Sequence, residues 1–321
     1  MVSSFIFRQY LDSKGRVHRI WSLMRKWMIR LCNDPACELE IHGTVLQLPL
    51  SHSLPINLRD FPFYDQLLSR LSYFLHNQYG YVQAMDIGAN IGDTLAAMHQ
   101  NSDRRDFFLA VEPNSKFFHY FMLNWQDKKN VIALNALCSD APTVEKVTMI
   151  EKNGSASISP TNTGTLMKSY TLDELLEQFP QLSQINLVKI DTDGYDFTII
   201  NGARRLLSNS LPALLFECDH FGKLNYAQTA IQTLTLLNDL GYRHALVYDN
   251  CGYLMGKFDL QDMRQFKNLL FYQISSPLAY FDILVMQERI LDRFFDSECR
   301  MFLQTLRDSN LAESSAAILQ S

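Results

Sequence analysis

What this 321-residue chain lacks narrows it first. It has no stretch of about 18 consecutive apolar residues, so no membrane-spanning helix is predicted. Six cysteines (Cys32, Cys37, Cys138, Cys218, Cys251 and Cys299) form no CxxC pair and have no companion histidine at zinc spacing. Reduced, mostly buried thiols are expected. The first residues carry neither the short apolar core nor the small-residue cleavage site of a signal peptide, so a cytoplasmic location is expected. The formal charge is only −5, far from the basic stripe of a nucleic-acid binder, and no nucleic-acid partner is expected. No internal repeat, low-complexity tract or G-x-G-x-x-G occurs. The last absence weighs against a pyrophosphate-binding dinucleotide site.

What is present suits a folded domain, since 47% of residues are hydrophobic and only 20% are charged. The charge is unevenly placed. Residues 1–32 hold seven Lys/Arg against the single acid Asp12, a local +6 that leaves −11 on the rest. Within them Val17, Ile20, Trp21, Met24, Trp27, Met28 and Leu31 recur at helical spacing. Such a helix packs on its own domain or a second subunit, or lies on an anionic membrane surface at the inner face.

Residues 38–50 alternate around His42-Gly43 as a hairpin would, and 61–79 read as helical. From 81 onward short apolar runs alternate with helical segments: 82–87, 107–111, 131–137, 187–190, 213–216, 243–247 and 281–286. This rhythm predicts a doubly wound, mainly parallel α/β sheet covered on both faces, with the last run inserted antiparallel. Helical periodicity returns over 287–318. The expected organisation is an N-terminal extension over 1–60, a core domain over 61–290 and a C-terminal helical extension over 291–321.

The most informative loop is Asp86-Ile87-Gly88-Ala89-Asn90-Ile91-Gly92-Asp93-Thr94, between a strand and a helix. Gly88 allows a sharp turn and close approach to a ligand, and Gly92 allows tight strand–helix contact. A carboxylate at Asp86 repels a pyrophosphate and attracts a cation. S-adenosylmethionine has a sulfonium, an ammonium and no phosphate, so the electrostatics favour it as cofactor. Glu112, followed by Pro113 and Asn114 at the end of the next strand, is placed to accept ribose hydroxyls. A third block, Lys189-Ile190-Asp191-Thr192-Asp193-Gly194-Tyr195-Asp196, bunches carboxylates at a strand end. These suit a general base or a hard cation, or simply stock a helix N-terminus with acid. The fourth, Glu217-Cys218-Asp219-His220, supplies two further acceptor-site candidates, Glu217 and His220. The polar segment 153–160 reads as a mobile loop over a cleft or as an ordinary connector.

Together these blocks resemble the FkbM-type family of S-adenosylmethionine-dependent methyltransferases. The matching residues are Asp86 to Gly92, Val111-Glu112-Pro113-Asn114, Leu123-Asn124, Asn135 to Asp140, Thr171-Leu172-Asp173-Glu174-Leu175 and Lys189 to Gly194, across roughly residues 80–290. The entry at 38–64 is similar to members found among surface-polysaccharide genes. The resemblance implies a seven-stranded class I fold and O-methylation of a sugar, glycan or small natural product. It implies that Asp86, Gly88, Asn90 and Gly92 hold the methionine moiety, with Ala89, Asp93 and Thr94 in the same loop. Glu112, Pro113 and Asn114 would lie at the ribose, Ala136, Leu137 and Ser139 at the adenine, and Lys189, Asp191 and Glu217 at the acceptor. Asp193 stands where the family has Glu. The competing expectations are a weakly catalytic cofactor-binding module recruited to a membrane and a dehydrogenase, and a homo-oligomer is compatible with each.

Overall fold

The computed structural model describes residues 2–100, 102–103, 105–152, 154–161, 163–220, 224–276, 280–306 and 309–320. Two helices, Val2–Asp12 and Gly15–Leu31, open the chain. A hairpin follows, β1 (Ala36–Ile41) and β2 (Thr44–Pro49), turning on His42 and Gly43 with φ of 48° and 72°. Two consecutive left-handed residues are what a tight two-residue hairpin turn demands. Cys37, Leu39 and Ile41 alternate inward, so the expected hairpin is present and its apolar face is buried.

The chain then runs through the helices Leu54–Asp60 and Leu67–Tyr79. The next strands in order are β3 (Gln83–Ile87), β4 (Phe107–Val111), β5 (Val131–Leu134), β6 (Leu137–Cys138), β7 (Val144–Lys152), β8 (Ser155–Pro160) and β9 (Thr165–Tyr170). They are followed by β10 (Leu187–Ile190), β11 (Ala213–Cys218), β12 (His244–Asp249), β13 (Leu254–Asp259) and β14 (Phe281–Val285). The main sheet has the order β13-β12-β14-β11-β10-β3-β4-β5. Its centre, β11-β10-β3-β4-β5, is parallel, and β14 runs antiparallel between β11 and β12. The expected doubly wound class I sheet of seven strands is therefore there, with β14 as its inverted strand. The eighth, β13, is an added antiparallel edge strand on β12.

Alternate residues of the central strands enter opposite cores. On β3, Ala84 joins a cluster with Phe108, Leu71 and Leu284, while Met85 and Ile87 join one with Leu109, Val188 and Leu214. The first cluster also takes in Leu39, Leu46 and Leu48 of the hairpin and Ile290, Leu291 and Phe294 of the helix Glu288–Thr305. Both ends of the chain thus pack on the same face of the sheet.

A second sheet, β6-β9-β7-β8, was not expected from the sequence. Residues read there as a polar loop, from Gly154 on, instead belong to the β7–β8 hairpin, while Asn153 lies outside the described residues. Ala156 and Ile158 are half-buried while Ser155 and Ser157 are exposed, a two-residue alternation carried by small, polar side chains.

The chain leaves β3 toward β4 and β5 on one side and returns to β10 and β11 on the other. The strand order reverses between β3 and β10. In open α/β sheets the ligand crevice lies at the carboxyl ends of the strands at this point.

Candidate active site

A cavity of about 340 Å³ opens there. It is lined by Gly88, Asn90, Asp93 and Thr94 after β3, Glu112 and Pro113 after β4, Asp191 to Asp193 after β10, and Glu217 and Asp219 of β11 and its end. Its floor is a buried ion pair. Lys189 Nζ lies 3.3 Å from Asp86 Oδ1 and 3.5 Å from Asp191 Oδ2, and it donates to the Gly88 carbonyl at 3.0 Å. Thr94 Oγ1 donates to the other Asp86 oxygen. Burial alone would discharge Lys189, but Asp86, Asp191, Asp93 and Asp65 outweigh it and raise its pKa.

Gly88 has a φ of 82°, and a Cβ there would lie 1.8 Å from the Asp191 carbonyl oxygen. No other residue lets β3 and β10 release their loops so close together. Gly92 does its work away from the cavity. It caps the helix Asp93–His99, its carbonyl accepts from Trp125 Nε1, and a Cβ would strike that indole at 2.2 Å. Ala89 is fully buried behind the loop.

Glu112 accepts from Asn90 N at 2.8 Å and Asn114 N at 2.7 Å, fastening the two loops together. Burial pushes its carboxyl up to about 7 against these two bonds. Asn114 caps the helix Ser115–Trp125 through the backbone amides of Lys116 and Phe117. Asn90, itself left-handed at φ 48°, donates to the Gly154 carbonyl at 2.6 Å and meets His52 Nε2 at 3.3 Å. His52 Nδ1 accepts from Leu54 N, which leaves Nε2 carrying the proton toward Asn90. Burial pushes His52 down to about 4, so it is neutral. The chain His52–Asn90–Gly154 fixes the tip of the β7–β8 hairpin over the cavity. No spacing rule marked His52, Tyr64 or Tyr280, which reach the same wall from outside the strand-end loops.

The remaining acids divide by role. Asp196 is buried and accepts from Thr192 Oγ1 and from Glu217 N, and burial pushes it up to about 7. It braces the loop. Burial with Asp191 and Asp219 nearby pushes Asp193 up to about 6. Asp93 Oδ1 and Glu217 Oε2 are buried with no hydrogen-bond partner. Asp93 is raised to about 7, and Glu217 well above its usual range, chiefly by burial. Among the described residues around the cavity, six acidic side chains (Asp93, Glu112, Asp191, Asp193, Glu217 and Asp219) face one ammonium, Lys189. Such a chamber takes a cation and repels phosphate.

Two smaller spaces adjoin it. An apolar slot of about 40 Å³ shares Gly88, Pro113, Ile158 and Thr192 with the chamber and is walled by Val111, Ala136, Leu137, Ser139 and Tyr195. A partly polar cavity of about 100 Å³, also lined by Phe63, Leu67, Leu68 and Phe216, shares Tyr64, Thr94, Lys189, Asp191, Glu217 and Tyr280 and adds Asp65, Asn250 and Asp282. Asp282 is pushed up to about 8, first by burial. His220 lines none of these three spaces. Its ring stands edge-on to Tyr226 with centroids 6.1 Å apart.

Residues 86–244 match the family model described as the methyltransferase FkbM domain. The chain carries an FkbM-type methyltransferase domain. No curated protein sequence matches the chain. Solved structures similar to it include a methyltransferase FkbM from Methylobacillus flagellatus KT, 15% identical, with a TM-score of 0.35 over 51% of this chain and 39% of that one. A precorrin-6y C5,15-methyltransferase from Geobacter metallireducens GS-15 is 14% identical, with a TM-score of 0.35 over 64% of this chain and 80% of that one. Aeropyrum pernix fibrillarin, crystallised with natively bound S-adenosyl-L-methionine, is 9% identical, with a TM-score of 0.35 over 64% and 66%. The chain thus spans well under half the length of the M. flagellatus protein. The fold of the FkbM-type domain rests on its own strand order, and its kinship with methyltransferase domains on the family match over residues 86–244.

Proposed function

We propose that the FkbM-type domain transfers a methyl group from S-adenosylmethionine to a hydroxyl of a carbohydrate. The supporting observation is the junction at Gly88 of an acid-lined, phosphate-repelling chamber with an apolar slot. A nucleoside whose sulfonium and ammonium lie in the chamber and whose adenine enters the slot satisfies both. When bound, this cofactor supplies an electrophilic methyl group and departs as a neutral thioether.

The chain's residues do the rest by position and charge. Asp93, with its unpartnered oxygen, and Asp86 beneath it provide the negative field for the cationic end. Glu112 keeps lone pairs beyond its two backbone bonds for the ribose hydroxyls. Lys189 holds Asp191 at the border between the chamber and the partly polar cavity. There Asp191, about half exposed, takes the acceptor's proton. Glu217 and Asp282, with raised pKa values, offer the acceptor carboxyl groups that donate as well as accept. Asp65, Asn250 and Tyr64 beside them make a wall suited to several neighbouring hydroxyls. A sugar presents these, and this favours a carbohydrate over an aromatic natural product. His220, facing Tyr226, is a weaker candidate for the base than Asp191.

The test is methyl transfer from radiolabelled S-adenosylmethionine to oligosaccharides and, in parallel, to phenolic acceptors. Labelling of the carbohydrate alone is expected. Labelling of the phenols alone would reassign the acceptor.

A further inference from the structure

We propose that the outer face of the helix Gly15–Leu31 is a docking surface for an anionic lipid bilayer. None of this helix's residues is fully buried, although its inner side is well fastened. The His18 ring packs on Tyr10 with centroids 4.5 Å apart, and Trp21 stands edge-on to Phe5 at 5.6 Å. Arg25 lays its guanidinium 4.6 Å over Phe7 and donates to the Leu50 carbonyl at 2.9 Å. The need of an amphipathic helix to bury an apolar side is thus already met by the domain.

A second apolar stripe points the other way. Val17, Ile20, Met24, Trp27 and Leu31, spaced by three, four, three and four residues, lie on one helical face. They are open to solvent, with Ile20 57%, Trp27 69% and Leu31 73% exposed. Val2 and Phe5 of the preceding helix add to the exposed apolar surface. Arg16, Arg19, Lys26 and Arg30, all exposed, flank the stripe along one edge. An apolar stripe carrying a tryptophan beside a cationic edge is the composition of a helix that lies in a membrane interface. No described helix is long and apolar enough to cross a membrane, so the geometry is one of lying on the surface.

Charge selects this occupant over a second copy of the chain. Two such faces brought together oppose their arginines and lysines, whereas anionic headgroups neutralise them. The other residues carry −11, so the same surface repels them and orients the molecule helix-first. Arg25 also reaches the carbonyl of His52, whose ring lines the active-site cavity. Docked in this way, that wall stands about one helix diameter, roughly 10 Å, from the lipid.

The test is co-sedimentation of the full chain with phosphatidylcholine vesicles made with and without phosphatidylglycerol. Binding is expected only with phosphatidylglycerol present, with a blue shift in tryptophan emission and a loss on raising salt. The paired substitutions Ile20→Glu/Trp27→Glu, and separately Arg19→Glu/Lys26→Glu, should each weaken it about tenfold or more. Their melting temperatures should match the parent, because all four side chains are exposed. Failure of the parent chain to bind at low salt would overturn the proposal, as would unchanged binding by both variants. So would a dimer in sedimentation that Ile20→Glu/Trp27→Glu dissociates while vesicles are ignored.

Discussion

Asp191 and Gly88 meet at the point where β3 and β10 end, and each makes a separate demand. At Gly88 a methyl group has no room, since the Asp191 carbonyl occupies its place, and the left-handed backbone adds strain of about 1 kcal/mol or more. Gly88→Ala should abolish measurable binding of S-adenosylhomocysteine by calorimetry, or lower the yield of folded protein. At Asp191 the carboxylate borders the reacting space without holding up the fold. Asp191→Asn should cut turnover by about a hundredfold or more while leaving S-adenosylhomocysteine affinity within a few-fold. Equal loss of both would make Asp191 a cofactor ligand. These residues were legible because they sit in short runs at strand ends, where local sequence and position coincide. His52, Tyr64 and Asp282 were not, because each arrives from a different element and only the folded chain brings them to the walls of these cavities. Gly92 was legible as a required glycine, and its steric reason, the Trp125 indole, was not.

The β7–β8 hairpin carries the main difference between sequence and structure at the level of elements. The inner strands of the large sheet, β3, β4, β10, β11 and β14, are read easily because their residues are mostly apolar and buried on both faces. Ser155-Ala156-Ser157-Ile158 alternates correctly but with side chains too small and polar to separate from a loop. The hairpin's tip is held by Gly154, where φ is +100° and a Cβ would lie 2.9 Å from the His52 ring. Gly154→Val should release the tip from His52 and Asn90. Cofactor affinity should fall roughly tenfold, with new proteolytic cleavage in the hairpin as the independent readout. An unchanged affinity would mean that the hairpin does not close over the cofactor. At the other end of the chain, Glu298 is buried and accepts two bonds from Arg70, at 2.7 and 2.8 Å, and one from Tyr248. Glu298→Ala strands that guanidinium and should destabilise the fold by about 3 kcal/mol, read as a lowered melting temperature.

Taken whole, the molecule separates its charge: a cationic helix on the outside and an acid-lined chamber at the sheet's switch point. Asp93, Glu112 and Asp196 near 7, with Asp282 near 8, lie well above the values of about 4 that they have when unfolded. The folded chain therefore binds more protons than the unfolded chain between about pH 4 and 8, and its stability falls as pH rises through that window. His52, depressed to about 4 from 6.5, acts oppositely but only below about pH 6.5. From pH 6.5 to 8 the carboxylates set the slope together with His42, which its hydrogen bond to Asp65 raises against burial and which acts in the same sense, so the melting temperature of the ligand-free protein should decline. A cationic ligand relieves the crowding of negative charge, so its stabilising effect should be larger at pH 8 than at pH 6.5. The most direct measurement is calorimetric titration of the purified protein with S-adenosylmethionine and with NAD at neutral pH. One-to-one binding of the sulfonium nucleoside with no detectable heat from NAD is expected. Binding of NAD with none of S-adenosylmethionine would contradict the account.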